Sequence, residues 1–148
     1  MAAPGIEVAE QCGGGLDERL AAAFALDGGP ALLIGMDTPQ LTPSHLAPAL
    51  TSGEWGDGDA WFGPAEDGGF WALGLARPDP GLLLGVPMSR PDTGAAQRRR
   101  LTGAGLRVRD LPPLCDVDTP ADAEAVAAAA PGGHFARALD ACRPAATR

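Results

Sequence analysis

The chain of 148 residues contains no lysine and no tyrosine, only two histidines, and 11 basic against 19 acidic residues. The missing lysine and tyrosine, beside abundant alanine, glycine, proline and arginine, read as genomic base composition. The charge deficit says more. A formal net charge of -8 leaves no electrostatic footprint for a phosphate backbone, which argues against nucleic acid or an anionic membrane surface as a partner. Anionic ligands would need a metal ion or local donors. Long apolar runs are also missing: none approaches the length of a membrane span, and the start "MAAPGIEVAEQ" has neither the basic nor the apolar region of a signal peptide. Three widely spaced cysteines, Cys12, Cys115 and Cys142, match neither a zinc spacing nor an even secreted framework. Reduced thiols and a cytoplasmic location are the expectation, and the length is that of one domain.

What is present alternates between two periodicities. Leu16, Leu20, Ala23 and Phe24 recur at helical spacing over 16–26, with Asp17 and Glu18 in the first turn, until Gly28, Gly29 and Pro30 stop the helix. "ALLIGM", 31–36, is a short continuous apolar run, which predicts a strand covered on both faces as parallel strands are. Thr42 and Pro43 predict an N-cap and first helical residue for a helix to about residue 50, followed by a loop over 51–59. The runs 60–65 and 70–76, joined through "EDGG", predict a hairpin in which Pro64 needs a strand end or a bulge. A helix over 92–101, a half-buried or edge strand over 106–111, and helices over 120–130 and 134–142 complete the pattern. The helix at 120 opens on a capping-box-like Thr119, Pro120, Asp122. Strands alternating with helices predict an α/β layer fold.

Carboxylates stand where these elements end. Asp37 closes the most strand-like run, where ligands of open α/β sheets bind; an isolated Asp-x-Pro more often merely turns the chain. The second Asp-Thr-Pro, at 118–120, shifts that balance. Magnesium or manganese takes hard oxygen ligands, commonly one or two carboxylates plus nucleotide phosphates, and Asp37 with Asp118 could supply the pair. The bland alternative has Asp118 supporting the cap at Thr119. Glu66 and Asp67 could orient sugar hydroxyls or act as a general base, and Gly68 and Gly69 allow close backbone approach, although a tight acidic turn would look the same. Arg98, Arg99 and Arg100 read as a solvated face, His45 and His134 as surface residues, and Trp55, Trp61 and Trp71 as packing. Cys115 has no evident base partner, which argues against a nucleophilic role.

Together, "LLIGMDTPQLTP", "FGPAEDGGFWALGL" and "LPPLCDVDTPADAEAV", with "QCGGGLDERLAAAF" before them, resemble bacterial glycosyltransferases of the GT-A-like nucleotide-diphospho-sugar transferase superfamily, of the arsenosugar-biosynthesis type. The resemblance covers residues 11 to about 127. It implies a partial GT-A-like, Rossmann-like mixed sheet flanked by helices, with nucleotide and magnesium or manganese at the carboxyl ends of the strands. Asp37 and Asp118 match the family's metal-side aspartates, with Asp116 beside the second as a substrate contact. Glu66, Asp67, Gly68 and Gly69 match its acceptor-side block, and Ser89 a Trp-Ser pair whose tryptophan is here Met88.

The implied reaction is transfer of a sugar from a nucleotide-diphosphate donor to a small-molecule acceptor. A nucleotidyltransferase is a sister alternative, and a degenerate or partner-completed module is one of a different class. About ten residues precede the Gln11 block, so most of the usual N-terminal nucleotide-binding portion is expected to be lacking from this single domain, 1–148. The strand 31–36 would then expose an apolar edge, which the segment Ile6 to Val8, a second copy or a complementing chain is expected to cover.

Overall fold

A computed structural model describes residues 5–26, 28–51, 53 and 55–143; residues 52 and 54 of the predicted loop and the first four of the chain lie outside the described residues. Its elements are α1 (Leu16–Phe24), β1 (Ala31–Ile34), α2 (Pro43–Leu50), β2 (Asp59–Pro64), β3 (Phe70–Leu75), a 3₁₀ turn (Pro80–Leu82), α3 (Thr93–Gly103), β4 (Arg107–Asp110), α4 (Pro120–Ala129) and α5 (His134–Cys142). Every predicted helix and strand is present, with ends shifted by a few residues, and the 3₁₀ turn is additional. Its proline start and Asp79 cap, which accepts the Gly81 N–H at 2.8 Å, hold too few residues to show a period.

The sheet order is β1-β3-β2-β4. β3 runs antiparallel to both β1 and β2, while β2 and β4 are parallel, so β1, β2 and β4 all point the same way. Their carboxyl ends therefore share one end of the sheet, together with the β2–β3 turn. The hairpin carries a register shift between Gly63 and Pro64, the irregularity the proline demands.

The apolar pattern is read out on two faces. Ala60, Phe62, Leu73 and Leu75 pack with Ala21 and Phe24 of α1, Leu82, Leu83 and Leu101 on one side. Trp61, Trp71 and Ala72 pack with Ala49 of α2, Leu111 and Leu114 on the other. Each fully buried Phe or Leu contributes on the order of 1.5–3 kcal/mol. Trp71 can lie flat on β2 because residue 63 is glycine: a Cβ there would sit 2.6 Å from its ring. The Trp71 Nε1–H donates to the Pro112 carbonyl at 3.0 Å, and the Trp55 Nε1–H to Ala49 at 2.9 Å, so the tryptophans pack and tie loops, as the sequence suggests.

Two expectations for β1 are corrected. Both of its faces are covered, Ala31 and Leu33 on one side and Leu32 on the other, but it is an antiparallel edge strand of four residues. A continuous apolar run reports coverage of faces and is silent on the direction of the neighbour. Nor does the amino-terminal segment cover its outer edge: Ile6 and Val8 are 63% and 82% exposed and belong to no strand.

At the opposite end of the sheet, the buried Asp59 accepts hydrogen bonds from Gly56 N–H at 2.9 Å and Arg107 Nε–H at 2.6 Å. The Arg107 bond holds its carboxyl below the usual carboxylate range, although burial acts the other way. Arg98 pairs with Asp110 and lies over the Phe62 ring at 4.6 Å, and Arg100 donates to the Gly81 and Leu84 carbonyls. Arg98 and Arg100 thus buttress α3, while Arg99 is exposed, as a solvated face would have it.

Candidate functional site

The chain beyond β4 explains how distant aspartates meet. It continues alongside β2: Leu111 N–H donates to Phe62 O at 2.8 Å, Leu114 N–H to Pro64 O at 3.2 Å, and Glu66 N–H to Leu114 O at 3.0 Å. These bonds carry residues 116–118 to the tip of the β2–β3 hairpin. One further bond, Val117 N–H to Asp37 O at 2.9 Å, fastens the same segment to the chain leaving β1. All three acidic stretches therefore stand at the common carboxyl end of β1, β2 and β4, where open α/β sheets place ligands.

Asp67, Asp116 and Asp118 converge there, with one carboxylate oxygen from each lying within 4.8 Å of the others. Asp67 and Asp118 are exposed and Asp116 is half-buried. Desolvation pushes the Asp116 carboxyl up, and the negative charges of Asp67, Asp118 and Asp122 add to it, against a backbone hydrogen bond that lowers it. Three hard oxygen donors of like charge, one of them partly desolvated, fit the chemistry of a magnesium or manganese site. Asp37 joins this region through its carbonyl, and its exposed carboxylate is outside the converging trio.

The cap at α4 is not made by Asp118. Asp122 Oδ2 accepts the Thr119 N–H at 2.8 Å and the Thr119 hydroxyl at 2.7 Å, while Thr119 Oγ1 accepts the Asp122 N–H at 3.2 Å. That arrangement frees the Asp118 carboxylate from helix capping.

The hairpin tip separates the two acids that the sequence sets side by side. Asp67 turns to the trio, its Oδ1 also accepting the Gly69 N–H at 2.7 Å. Glu66 instead lines a cleft of about 410 Å³ with Gln40, Thr42, His45, Leu114, Cys115 and the face of α4. Gly68 has φ +94°, and a Cβ on it would lie 1.9 Å from the Pro91 carbonyl oxygen; its own carbonyl accepts the Gly94 N–H at 2.8 Å. The close approach that glycine permits here is thus that of the loop before α3. Ser89, at the start of this loop, is exposed and takes φ +55°, the one positive φ outside glycine among the described residues.

Cys115 is pushed up by burial and then by the charges of Asp122, Glu66, Asp116 and Asp118, which disfavours the thiolate that a nucleophile needs. Gln40, Thr42 and His45 were not readable as site residues. The cleft walls come from four separate segments, and no spacing within one of them betrays that they meet.

Comparison with known proteins agrees with this geometry. A crystal structure of a putative nucleotide-diphospho-sugar transferase from Desulfovibrio desulfuricans G20 superposes with a TM-score of 0.71 at 27% sequence identity, covering 88% of this chain. This chain spans 62% of that chain's length. No curated protein matches it. The mixed sheet with helices on both faces is thus a Rossmann-like nucleotide-sugar transferase fold, as the three sequence blocks imply. Residues 1–90 match the model of a family described as "Uncharacterized protein conserved in bacteria (DUF2064)", a span that takes in Asp37 and the hairpin acids. With more than half of its length matched, the chain belongs to this bacterial DUF2064 family.

Proposed function

We propose that this protein is a glycosyltransferase that moves a sugar from a nucleotide-diphosphate donor to a small-molecule acceptor with the help of magnesium or manganese. The observation that carries the reading is the convergence of Asp67, Asp116 and Asp118 from two distant blocks at the carboxyl end of the sheet. The likeness to a nucleotide-diphospho-sugar transferase supports it.

In this reading Asp118 and Asp116 of the trio hold the cation, Asp116 also faces the donor, and Asp37, whose carboxylate stands outside the trio, joins them once the ion is bound. A divalent ion held there supplies positive charge against the diphosphate leaving group and a template for the phosphates. Asp67 takes the proton from the acceptor hydroxyl as its oxygen bonds to the anomeric carbon and the bond from that carbon to the diphosphate oxygen breaks. Glu66 orients the acceptor from the neighbouring cleft. Gly68 and Gly69 fix the hairpin tip, the Gly69 N–H by holding Asp67, and Ser89 offers its hydroxyl from the adjoining loop. All three cysteines are free, in keeping with a reducing cytoplasm.

Thermal unfolding of the purified chain with manganese and a panel of nucleotide-diphosphate sugars tests this, alongside Asp37→Asn and Asp118→Asn. A ligand at one hundred times its dissociation constant stabilises the fold by about 2.7 kcal/mol. The expected result is a manganese-dependent rise of the midpoint for one nucleotide sugar, lost in Asp118→Asn and weakened or lost in Asp37→Asn. A well-folded sample that responds to none of them would favour the second reading, a partner-completed or non-catalytic module. One observation speaks for that alternative: β1 has an open outer edge among the described residues. On either reading we propose that this edge is completed by a strand from a second copy or a complementing chain.

A further inference from the structure

The cleft behind the acid trio carries its own chemistry. It opens between the start of α2 and the face of α4, beside the hairpin tip, and its floor is apolar, made by Leu114 and Val126. Ala125 and Ala129 of α4, four residues apart and so on one face, keep it open.

Two polar side chains, Glu66 and His45, address it, and Gln40 is fixed in its wall. Gln40 donates its Nε2–H to the Cys115 carbonyl at 2.5 Å, which fixes the orientation of the amide, and its buried Oε1 has no partner among the described residues. That oxygen has almost no solvent-accessible surface, so Gln40 serves the cleft as a wall tied to the Cys115 carbonyl. Glu66 supplies the acceptor. His45 supplies the opposite polarity: its Nδ1 accepts the Thr42 N–H at 3.0 Å, so in the neutral ring Nε2 carries the proton and can donate. Among the described residues no arginine lines the cleft, and Asp116, Asp118 and Asp122 stand near enough for their charges to act on its Cys115. The field inside is negative.

We propose that this cleft binds a small amino alcohol with an apolar skeleton, its ammonium held by Glu66, its hydroxyl accepting from His45 Nε2–H, and its carbon frame against Leu114 and Val126. The binding follows from the cleft alone. Its role rests on the transferase reading. Glu66 and Cys115 line the cleft, while the next residue along each segment, Asp67 and Asp116, belongs to the trio. A molecule seated here lies beside the proposed cation and the proposed base, where the sugar acceptor of that reaction must be.

Two-dimensional NMR of the 15N-labelled chain, without metal or nucleotide, tests the site with trans-2-aminocyclohexanol, cyclohexanol and cyclohexanecarboxylate. Expected are saturable shifts of the Gln40 side-chain amide and the Ala125 and Ala129 backbone amides with the amino alcohol. Affinity should fall about tenfold for cyclohexanol and for Glu66→Gln, the loss of one charge-assisted contact. It should vanish in Ala129→Leu, an exposed position where the larger side chain fills the cleft without entering the core. The proposal is overturned by no saturable shift with the amino alcohol, by equal binding of the carboxylate or the neutral alcohol, or by indifference to Ala129→Leu. Because no cation or nucleotide is present, failure here leaves the manganese and nucleotide-sugar response untouched, and failure of that response leaves this binding result standing.

Discussion

Asp116 shows how a site can be at odds with the fold that carries it. Its carboxyl is raised by desolvation and by the surrounding negative charges, whereas a carboxylate that steadies a fold is lowered, as Asp59 is by Arg107. For a raised group the folded chain holds its proton more tightly than the unfolded chain. Stability is therefore lost as pH rises from the ordinary carboxylate value through the raised one, and is missing at neutral pH. Replacing the charge should recover it. Asp116→Asn is expected to raise the unfolding midpoint of the metal-free chain at pH 7 by roughly 2 °C, since about 0.5 kcal/mol moves a domain of this size by that much. The same variant should lose most of the stabilisation by manganese. Calorimetry with and without the ion checks both. A lowered metal-free midpoint would make Asp116 a structural residue, and an undiminished manganese response would remove it from the cation site. A gain in stability coupled to a loss of ligand response is the signature of a residue kept for binding.

Among the elements, α4 was the most legible. Thr119, Pro120 and Asp122 announce the helix start, and the reciprocal bonds between Thr119 and Asp122 are in place. The sequence assigns Asp122 to the capping box and leaves open only whether Asp118 also supports the cap. The three-dimensional turn shows Asp122 taking it. The hairpin was readable for a similar reason: apolar runs around Glu66–Asp67–Gly68–Gly69, with Pro64 forcing an irregularity, leave little else for the chain to do. The bonds that run from Leu111 to Glu66 were not readable, because they join β2 to a loop through backbone atoms that carry no sequence mark. Cap and site adjoin in α4, which makes a test. Thr119→Ala should cost about 1 kcal/mol of stability, the usual worth of such a cap. It should also weaken manganese binding, because Asp118 immediately precedes the cap that fixes its backbone. A denaturant titration gives the first quantity and a manganese titration the second. Loss of stability with unchanged manganese affinity would separate the cap from the site.

For the molecule as a whole, the sheet explains both the site and the unfinished boundary. Because β1, β2 and β4 run together with β3 reversed among them, one end of the sheet gathers the acidic stretches of Asp37, Glu66–Asp67 and Asp116–Asp118, and this end was legible from the ends of the strands. The direction of β1 was not, since an apolar run does not encode its partner, and so the open edge was foreseen for a strand differently placed. The exposed side chains near the end of β1 sharpen the point: Ile34 is 45% exposed and Met36 93% exposed, beside a row of backbone groups with no partner strand among the described residues. Edges of this kind are blunted in stable proteins by charge, proline or a covering element, and β1 carries none of these in Ala31–Ile34. The purified chain is therefore expected to self-associate through β1, seen in sedimentation velocity as a larger species growing with concentration. Ile34→Lys should return it to monomer, because a charge at this position opposes strand pairing and is solvated when the edge is free. Hydrogen exchange supplies the local reading, with the outward amides of Ala31–Ile34 protected at high concentration and exchanging rapidly in the variant. A wild-type chain that remains monomeric, with those amides unprotected at every concentration, would exclude self-pairing and assign the edge to a complementing chain. The nucleotide-sugar response should then appear only once that chain is added.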